Sequence, residues 1–267
     1  MISIPDPITR KFRLVYKAVL YSVCVLLFYI FNFIVYVAVS DRKRRLALST
    51  RITTFIVKLS LIALNINVRV KDENRFRRGK NFLAVSNHVS YIDVFSIASI
   101  MNSVFVASVD GVQRNFLLGN ATRLSGGIFV ERKSRSRVQE DMNEIKDVLD
   151  LGFNVVLFPE STTSNGDRVL PFRSSFFESA INARADVVTM CVNYIELNGK
   201  PLTKETRDNV YFYEHLHFFP HFFNMLEQKS ITIEIDFMSK IEFDPERSRK
   251  ELCDMAYNEI SGAFRKM

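Results

Sequence analysis

The stretch FLAVSNHVSYID, residues 82–93, joins a short apolar run to a polar turn and then to the start of a helical pattern. The turn and helix start contain His88 and Asp93. On an uninterrupted helix two residues five positions apart lie about 140° apart around the axis, so these side chains can meet only across a loop or a helix start. A strand-to-helix junction provides that break, and the stretch therefore predicts a βα unit that can bring a histidine and a carboxylate together.

The same alternation continues along the chain after Asn65, where short β-branched or apolar runs are separated by longer amphipathic ones. This pattern is typical of α/β domains. The spacing predicts a helix over residues 137–151 and a last helix from about Pro245. We predict strands near residues 66–70, 82–86, 104–107, 128–130, 154–158, 187–192 and 231–237. The expected fold is α/β, with a mostly parallel central sheet flanked by helices.

The N-terminal part of the chain has a different character. Residues 18–39 include 22 positions without a charge, which as a helix measure about 33 Å, close to one hydrocarbon thickness. A signal peptide is the competing interpretation, but the run is long and a basic stretch at 42–45 follows it instead of a cleavage site. With a second apolar run at 55–64, we predict an anchor of one or two membrane-embedded helices over 1–65 and an α/β domain over 66–267. Embedding in one leaflet is the preferred hypothesis.

Composition excludes some function classes. Hydrophobic residues make up 48% of the chain and 24 residues are Phe, which is inconsistent with a disordered protein. The three cysteines are far apart, so neither a disulfide framework nor a zinc cluster is indicated. The net charge of +7 permits an anionic partner, but the basic residues are dispersed and fit no recognisable nucleic-acid module. We expect a phospholipid membrane as a partner and no nucleic acid.

Two further motifs follow predicted strands. GGIFVER, residues 126–132, delivers Arg132 after a short strand, and FPEST, residues 158–162, places Glu160 after another. Ligands gather at the carboxyl ends of strands in open α/β sheets, so the shared placement indicates one site. Each motif alone has a simpler interpretation: a helix-capping Asp93, a solvated basic surface, or an exposed loop carboxylate.

In order and spacing, the three motifs resemble the first three sequence blocks of the PlsC-like glycerolipid acyltransferases, which include 1-acylglycerol-3-phosphate and lysophospholipid acyltransferases. The resemblance implies that His88 is the general base and Asp93 its orienting partner. It also implies an acyl-CoA or acyl-carrier-protein donor, a lysophospholipid acceptor, no metal and no prosthetic group. The expected substrate-binding residues are Asn87, Gly127, Arg132, Glu160, Ser161, Thr162 and Arg173.

The function expected from the resemblance is acyl transfer to the free hydroxyl of a lysophospholipid, with 1-acyl-glycerol-3-phosphate as the first candidate and the catalytic domain on the cytoplasmic face. Two departures bear on the acceptor. Ser161 stands where the third block usually has Gly, and the fourth block lacks its prolines, with Asp186 and Thr189 in the aligned strand.

Two alternatives remain open at this stage. His215, His217 and His221 with His88 suggest a membrane-bound metal-dependent lipid hydrolase, although packing in an aromatic stretch is the more common role of such residues. The other alternative is a non-catalytic lipid-binding protein. Retention of both His88 and Asp93 at the right spacing argues against it.

Overall fold

A computed structural model describes residues 7–72, 81–113, 115–131, 135–214 and 216–266. The α-helices in this part of the chain are α1 (Pro7–Ala38), α2 (Arg42–Leu64), α3 (Tyr91–Ile100), α4 (Phe116–Leu124), α5 (Arg135–Asp150), α6 (Glu178–Ala183), α7 (Phe218–Glu227) and α8 (Arg249–Ala263). The strands are β1 (Ile66–Lys71), β2 (Phe82–Ser86), β3 (Ser103–Ser108), β4 (Ile128–Val130), β5 (Asn154–Leu157), β6 (Asp186–Leu197), β7 (Lys200–Pro201) and β8 (Ile231–Ile241).

The described strands form one sheet of eight strands in the order β1-β8-β6-β2-β5-β3-β4, with β7 paired to β6. The five strands from β6 to β4 in this order run parallel, and β8 is antiparallel to β6. Strand β2 lies near the middle and all five of its residues are buried, as a strand covered on both faces requires. The predicted mostly parallel α/β fold is confirmed. The two-residue strand β7 was not predicted, because it is too short to show a pattern.

Because β2, β3, β4, β5 and β6 are parallel, their carboxyl ends share one edge of the sheet. We call this the carboxyl edge, and the edge where these strands begin the opposite edge. Strand β1 follows α2 directly and begins beside the start of β8. The start of β8 in turn pairs with the end of β6. The C-terminus of α2 therefore lies at the carboxyl edge and its N-terminus at the opposite edge.

Helices α1 and α2 form a helical hairpin, and both are long and apolar enough to cross a membrane. They differ in their surroundings. Only 17% of the apolar window of α1 is buried, against 39% for α2. The buried side of α2 contributes Leu46, Val57 and Leu61 to the same core as the sheet, and the helix packs against α3. Helix α1 covers α2 and exposes most of its apolar side chains.

Basic side chains attach α1 to the carboxyl edge. The Arg13 guanidinium donates to the Glu227 carbonyl over 2.9 Å, and Arg10 forms an ion pair with the Glu227 carboxylate. Lys17 is buried, and its ammonium donates to the carbonyl of Leu64 at the end of α2 and, over 2.9 Å, to that of Gln228 just after α7. These carbonyls are free to accept because the last turns of helices leave them without helical partners.

The last helix begins later than expected. Pro245 was predicted in its first turn, but α8 starts at Arg249 after a capping box, in which the Ser248 hydroxyl accepts from the Glu251 amide and Glu251 reaches back to Ser248. The Ser248–Glu251 pair satisfies two helix N-terminal amides reciprocally, which a proline at position 245 cannot do.

Candidate active site

The junction after β2 brings His88 and Asp93 together. Helix α3 begins with a capping box in which Ser90 is the N-cap and Asp93 is the third helical residue, so Asp93 points back towards the loop. Its Oδ2 accepts from the Val89 and Ser90 amides over 2.8 and 2.9 Å and lies 2.9 Å from His88 Nδ1. The two interpretations of Asp93, helix cap and histidine partner, are both realised by one carboxylate oxygen.

The His88 ring is held on two sides. Its face stacks on Phe158, with centroids 4.1 Å apart and planes inclined by 16°. Because Nδ1 faces a carboxylate, the stable tautomer carries the proton on Nδ1 and leaves Nε2 with its lone pair. Nε2 has no hydrogen-bond partner among the described residues, and the side chain is 18% exposed. An oriented imidazole with a free, accessible nitrogen can accept a proton from a bound hydroxyl.

Asp93 has a second support that the sequence did not reveal. Its Oδ1 accepts from the Tyr194 hydroxyl over 2.7 Å, and both side chains are fully or almost fully buried. Burial keeps the pKa of Tyr194 well above its ordinary value, so the phenol stays protonated and donates. A tyrosine in a buried strand gives no local signal of such a role; only the pairing of β2 with β6 brings it near Asp93.

The loop between β2 and α3 is fixed by three other segments: strand β6, the turn after β5 and the loop before α7. The Asn87 amide exchanges two hydrogen bonds with the Val192 backbone, over 2.9 and 2.8 Å. Glu160 accepts from the His88 amide over 2.6 Å. The Ser164 amide donates to the His88 carbonyl, and the Phe212 amide donates to the Val89 carbonyl, each over 2.8 Å. The backbone around His88 is therefore set by the fold itself.

These bonds engage Asn87 and Glu160, two residues expected to contact substrate, with backbone atoms of the protein itself. Both ends of the Asn87 amide are engaged by the backbone of β6. Glu160 Oε1 binds the His88 amide and Oε2 accepts from the Leu170 amide over 2.6 Å, so the carboxylate faces backbone donors on both sides. Both side chains act on the site by holding the backbone of the loop that carries His88.

Glu160 also makes stability depend on pH. Burial, the main cause, raises the pKa of Glu160 from 4.5 to about 8, against the two amides that favour the ionised form. The folded state therefore binds a proton more tightly than the unfolded state, and this group's contribution to the free energy of unfolding decreases as pH rises from about 4.5 to 8. We expect the free energy of unfolding of Glu160→Gln to lack this pH dependence. We also expect it to be about 1–3 kcal/mol lower, because the NH₂ group of the glutamine faces a backbone donor. Denaturant titrations at several pH values test this, and equal slopes would contradict it.

Tyr194→Phe is expected to lower kcat about tenfold with little change in the KM of either substrate. The variant removes one charge-assisted bond to Asp93 and leaves the packing of the ring in place. If Tyr194 acts on turnover only by positioning Asp93, a second result is expected. In an Asp93→Asn background the same substitution should have little additional effect on kcat, because coupled residues are not additive. Additive losses in the double variant would show a merely structural role.

The third motif forms a turn beside His88. Ser161 has a left-handed backbone, with φ of 64°, and is buried, and its Oγ has no hydrogen-bond partner among the described residues. Thr162, the next residue, is exposed. Arg132 lies outside the described residues. Arg173 is exposed and lines a small cleft together with Glu131, the residue before Arg132.

Three other positions lie away from the His88–Asp93 pair. Gly127 is at the opposite edge, where an added Cβ would lie 2.5 Å from Thr122 Cγ2, so close packing against α4 explains this glycine without a substrate. Asp186 begins β6 at the same edge and accepts from Lys240 over 3.1 Å. Thr189 is buried and donates to Glu259 of α8 over 2.5 Å. Of the three residues in the two departures that bear on the acceptor, Ser161, Asp186 and Thr189, only Ser161 lies in the turn beside His88.

The other two histidines that the structure describes lie apart from the His88–Asp93 pair. His217 is exposed at the start of α7, and His221 is buried one turn later with Nδ1 3.0 Å from the Tyr91 hydroxyl. The position of His215 lies outside the described residues. Within the described part of the chain, no three His, Cys, Asp or Glu side chains lie close enough to hold a metal ion.

Comparison with known proteins agrees with this geometry. A family model described as Acyltransferase matches residues 67–193. The matched segment includes the junction that carries His88 and Asp93, the turn of Glu160 and Ser161, and most of β6. It ends one residue before Tyr194.

Two curated relatives are similar over most of the chain. The lyso-ornithine lipid O-acyltransferase of Rhizobium meliloti (strain 1021) is 30% identical over 217 residues, which are 79% of this chain and 72% of that protein. The 1-acyl-sn-glycerol-3-phosphate acyltransferase of Neisseria gonorrhoeae is 29% identical over 172 residues, which are 64% of this chain and 65% of that protein.

A solved structure shows the same fold. The 1-acyl-sn-glycerophosphate acyltransferase PlsC from Thermotoga maritima has a TM-score of 0.61 and 16% identity, and the likeness covers 93% of this chain and 96% of that one. The family match, the first relative and the ordered motifs agree. The chain belongs to the PlsC-like glycerolipid acyltransferase family, and it is an O-acyltransferase.

Proposed function

We propose that the protein transfers a fatty acyl group from acyl-CoA or acyl-carrier-protein to the free hydroxyl of a lysophospholipid, with 1-acyl-glycerol-3-phosphate as the first acceptor to test. The observation that carries the proposal is the buried Asp93 paired with His88, whose Nε2 has no partner among the described residues. The names of the relatives support two acceptor classes, 1-acyl-glycerol-3-phosphate and lyso-ornithine lipid.

In the proposed reaction His88 Nε2 takes the proton of the acceptor hydroxyl while its oxygen attacks the thioester carbonyl. The C–O bond forms, the tetrahedral oxyanion collapses, the C–S bond breaks, and the thiol leaves with the proton that His88 returns. Asp93 stabilises the imidazolium that exists between these steps. Placement of the base contributes about 10²–10⁴-fold, and orientation of the two substrates supplies much of the remainder.

We propose that the helical hairpin of α1 and α2 lies in one leaflet, with the catalytic domain on the cytoplasmic face. Support comes from α2, whose buried side packs against α3 and the sheet, because a hairpin crossing the bilayer would take these neighbours into hydrocarbon. Helices α4 and α7 contact α1, and their exposed apolar side chains, such as Phe116 and Phe219, extend its apolar surface. Thiol labelling of a cysteine introduced at residue 1 in sealed vesicles tests this, and an N-terminus on the side away from the catalytic domain would contradict it.

Ser161 is the position where we expect acceptor choice to be adjustable. Its left-handed backbone and unpartnered hydroxyl both cost stability, so Ser161→Gly should raise the free energy of unfolding by about 1 kcal/mol. If the hydroxyl binds the acceptor, kcat/KM for that acceptor falls about 5–10-fold. Ser161→Ala keeps the strained backbone and removes only the hydroxyl, so it separates the two effects. Unchanged kcat/KM for every acceptor in both variants would exclude a contact.

A panel of purified-enzyme assays tests the function. The acceptors are 1-acyl-glycerol-3-phosphate, lyso-ornithine lipid and glycerol 3-phosphate, each with acyl-CoA and with acyl-carrier-protein. Released thiol and acylated lipid are both measured, and His88→Ala is the negative control. Activity is expected to survive treatment with a chelator, because the proposed chemistry uses no metal. Lipid binding without thiol release would contradict the proposal.

A further inference from the structure

A cavity of about 160 Å³ lies at the opposite edge of the sheet, away from the His88–Asp93 pair. We call it the arginine cavity, because Arg42, Arg45 and Arg123 line it. Its walls come from the end of α1, the start of α2, the end of α4 and helix α5, and its floor includes Gly126 and Gly127 before β4. Since β4 runs parallel to β3, this floor is at the amino end of the strands, whereas His88 follows a carboxyl end.

The charges in the arginine cavity are unbalanced. Among the described residues, none of the three guanidinium groups forms an ion pair, and Glu144 is the one carboxylate in the lining. Arg45 lies over the Tyr36 ring, 5.7 Å from its centroid. Helix α2 starts with four consecutive basic residues, and the one carboxylate at this helix start is the N-cap Asp41, which accepts from the Arg44 amide over 2.8 Å. The basic charges outnumber it at the positive end of the helix dipole. A bound anion would relieve both the repulsion and the conflict with the dipole.

A second observation points to a ligand. Ser49, which also lines the cavity, is 1% exposed, and its Oγ has no hydrogen-bond partner among the described residues. A buried hydroxyl without a partner is costly, and a phosphate oxygen in the cavity would provide an acceptor. About 160 Å³ corresponds to roughly five water volumes, which is enough for a phosphate group.

The surroundings of the cavity favour a lipid over a soluble anion as its ligand. Tyr36 belongs to α1, and its neighbours Phe33 and Val37 are 58% and 67% exposed. Tyrosine and arginine beside an exposed apolar surface are typical of the headgroup level of a membrane. We propose that the arginine cavity binds the phosphate of an anionic phospholipid, at a site separate from the one where acyl transfer takes place.

A single tryptophan can report on binding, because the chain itself has none. Tyr36→Trp places the fluorophore in the cavity wall. The protein, in neutral detergent micelles, is titrated with dioctanoyl phosphatidylglycerol, with dioctanoyl phosphatidylcholine and with inorganic phosphate. The titrations are done in about 0.5 M salt, where the Debye length is roughly 4 Å and diffuse attraction is weak.

Two matched variants each lose two charges, and the lost charges line the cavity in only one of them. Arg45→Gln with Arg123→Gln removes two lining charges, whereas Lys43→Gln with Arg44→Gln removes two charges from the same helix start outside it. We expect the first pair to weaken phosphatidylglycerol binding at least tenfold and the second less than threefold. Ser49→Ala, which changes no charge, should weaken binding about threefold.

Three results would overturn the proposal: equal losses in the two charge variants, equal responses to the two phospholipids, or saturation by inorganic phosphate in the same concentration range as by lipid. The last would identify a soluble anion as the ligand. Acyl transfer in neutral micelles to which no phosphatidylglycerol has been added should be unchanged in both charge variants, which also shows that they fold. Because fluorescence measures binding directly, this test is independent of the assays for the proposed acceptor.

Discussion

His88→Ala is expected to lower kcat by about 10³–10⁴-fold while the protein still folds and binds membranes. The substitution removes the nitrogen placed to accept the hydroxyl proton, and a placed base is worth up to about 10⁴-fold. The fold should tolerate the change because the loop is held through backbone atoms of His88, which alanine keeps. Thiol release measures turnover, and vesicle flotation measures membrane binding.

His217→Ala is the matched control, because this histidine is exposed at the start of α7 and lies outside the junction after β2. It should retain turnover within about twofold. Near-normal activity of His88→Ala would refute the general-base assignment. Equal losses in both variants would instead favour a role for the histidine-rich stretch.

Asp93→Asn is expected to lower kcat by at least about 100-fold with a smaller effect on KM. The asparagine oxygen can still accept from the Val89 and Ser90 amides, so the helix cap can persist. What disappears is the negative charge that stabilises the imidazolium, which forms only during the reaction. The unfolding free energy should fall by about 1–3 kcal/mol, because the amide group replaces an acceptor of the Tyr194 hydroxyl.

Asp147→Asn is the corresponding control, since Asp147 is an exposed carboxylate on α5. It should change neither kcat nor stability appreciably. A kcat for Asp93→Asn within tenfold of the unchanged protein would mean that the carboxylate only caps α3. In that case Tyr194→Phe should also leave turnover intact.

The sheet could be predicted from the sequence because its strands carry strong local signals. The apolar runs at β2, β5 and β6 are buried on both faces and bounded by turn residues, so pattern alone locates them. The start of α8 was missed by four residues, because Pro245 is a generic helix-start signal and the Ser248–Glu251 capping box is the one that forms. Competing start signals a few residues apart cannot be ranked without tertiary contacts.

The proximity of His88 and Asp93 could also be predicted, because the two residues are close in sequence and their geometry depends on one local junction. Roles that depend on distant segments could not. Asn87 and Glu160 carry groups suited to substrate binding, but both are engaged by backbone from elsewhere in the fold. Tyr194 reaches Asp93 across 101 positions of sequence, a contact with no local signature.

The buried ammonium of Lys17 joins α1 to the ends of α2 and α7. Pulling α1 away would leave a cation and two carbonyls without partners in apolar surroundings, which is strongly unfavourable. The hairpin is therefore held against the catalytic domain, and with the hairpin seated in one leaflet as proposed, we expect His88 to stand at a constant height relative to the bilayer. Membrane depth then becomes a criterion of acceptor choice: the enzyme acylates lipids whose free hydroxyl reaches that height, and a hydroxyl buried deeper among the acyl chains is out of reach.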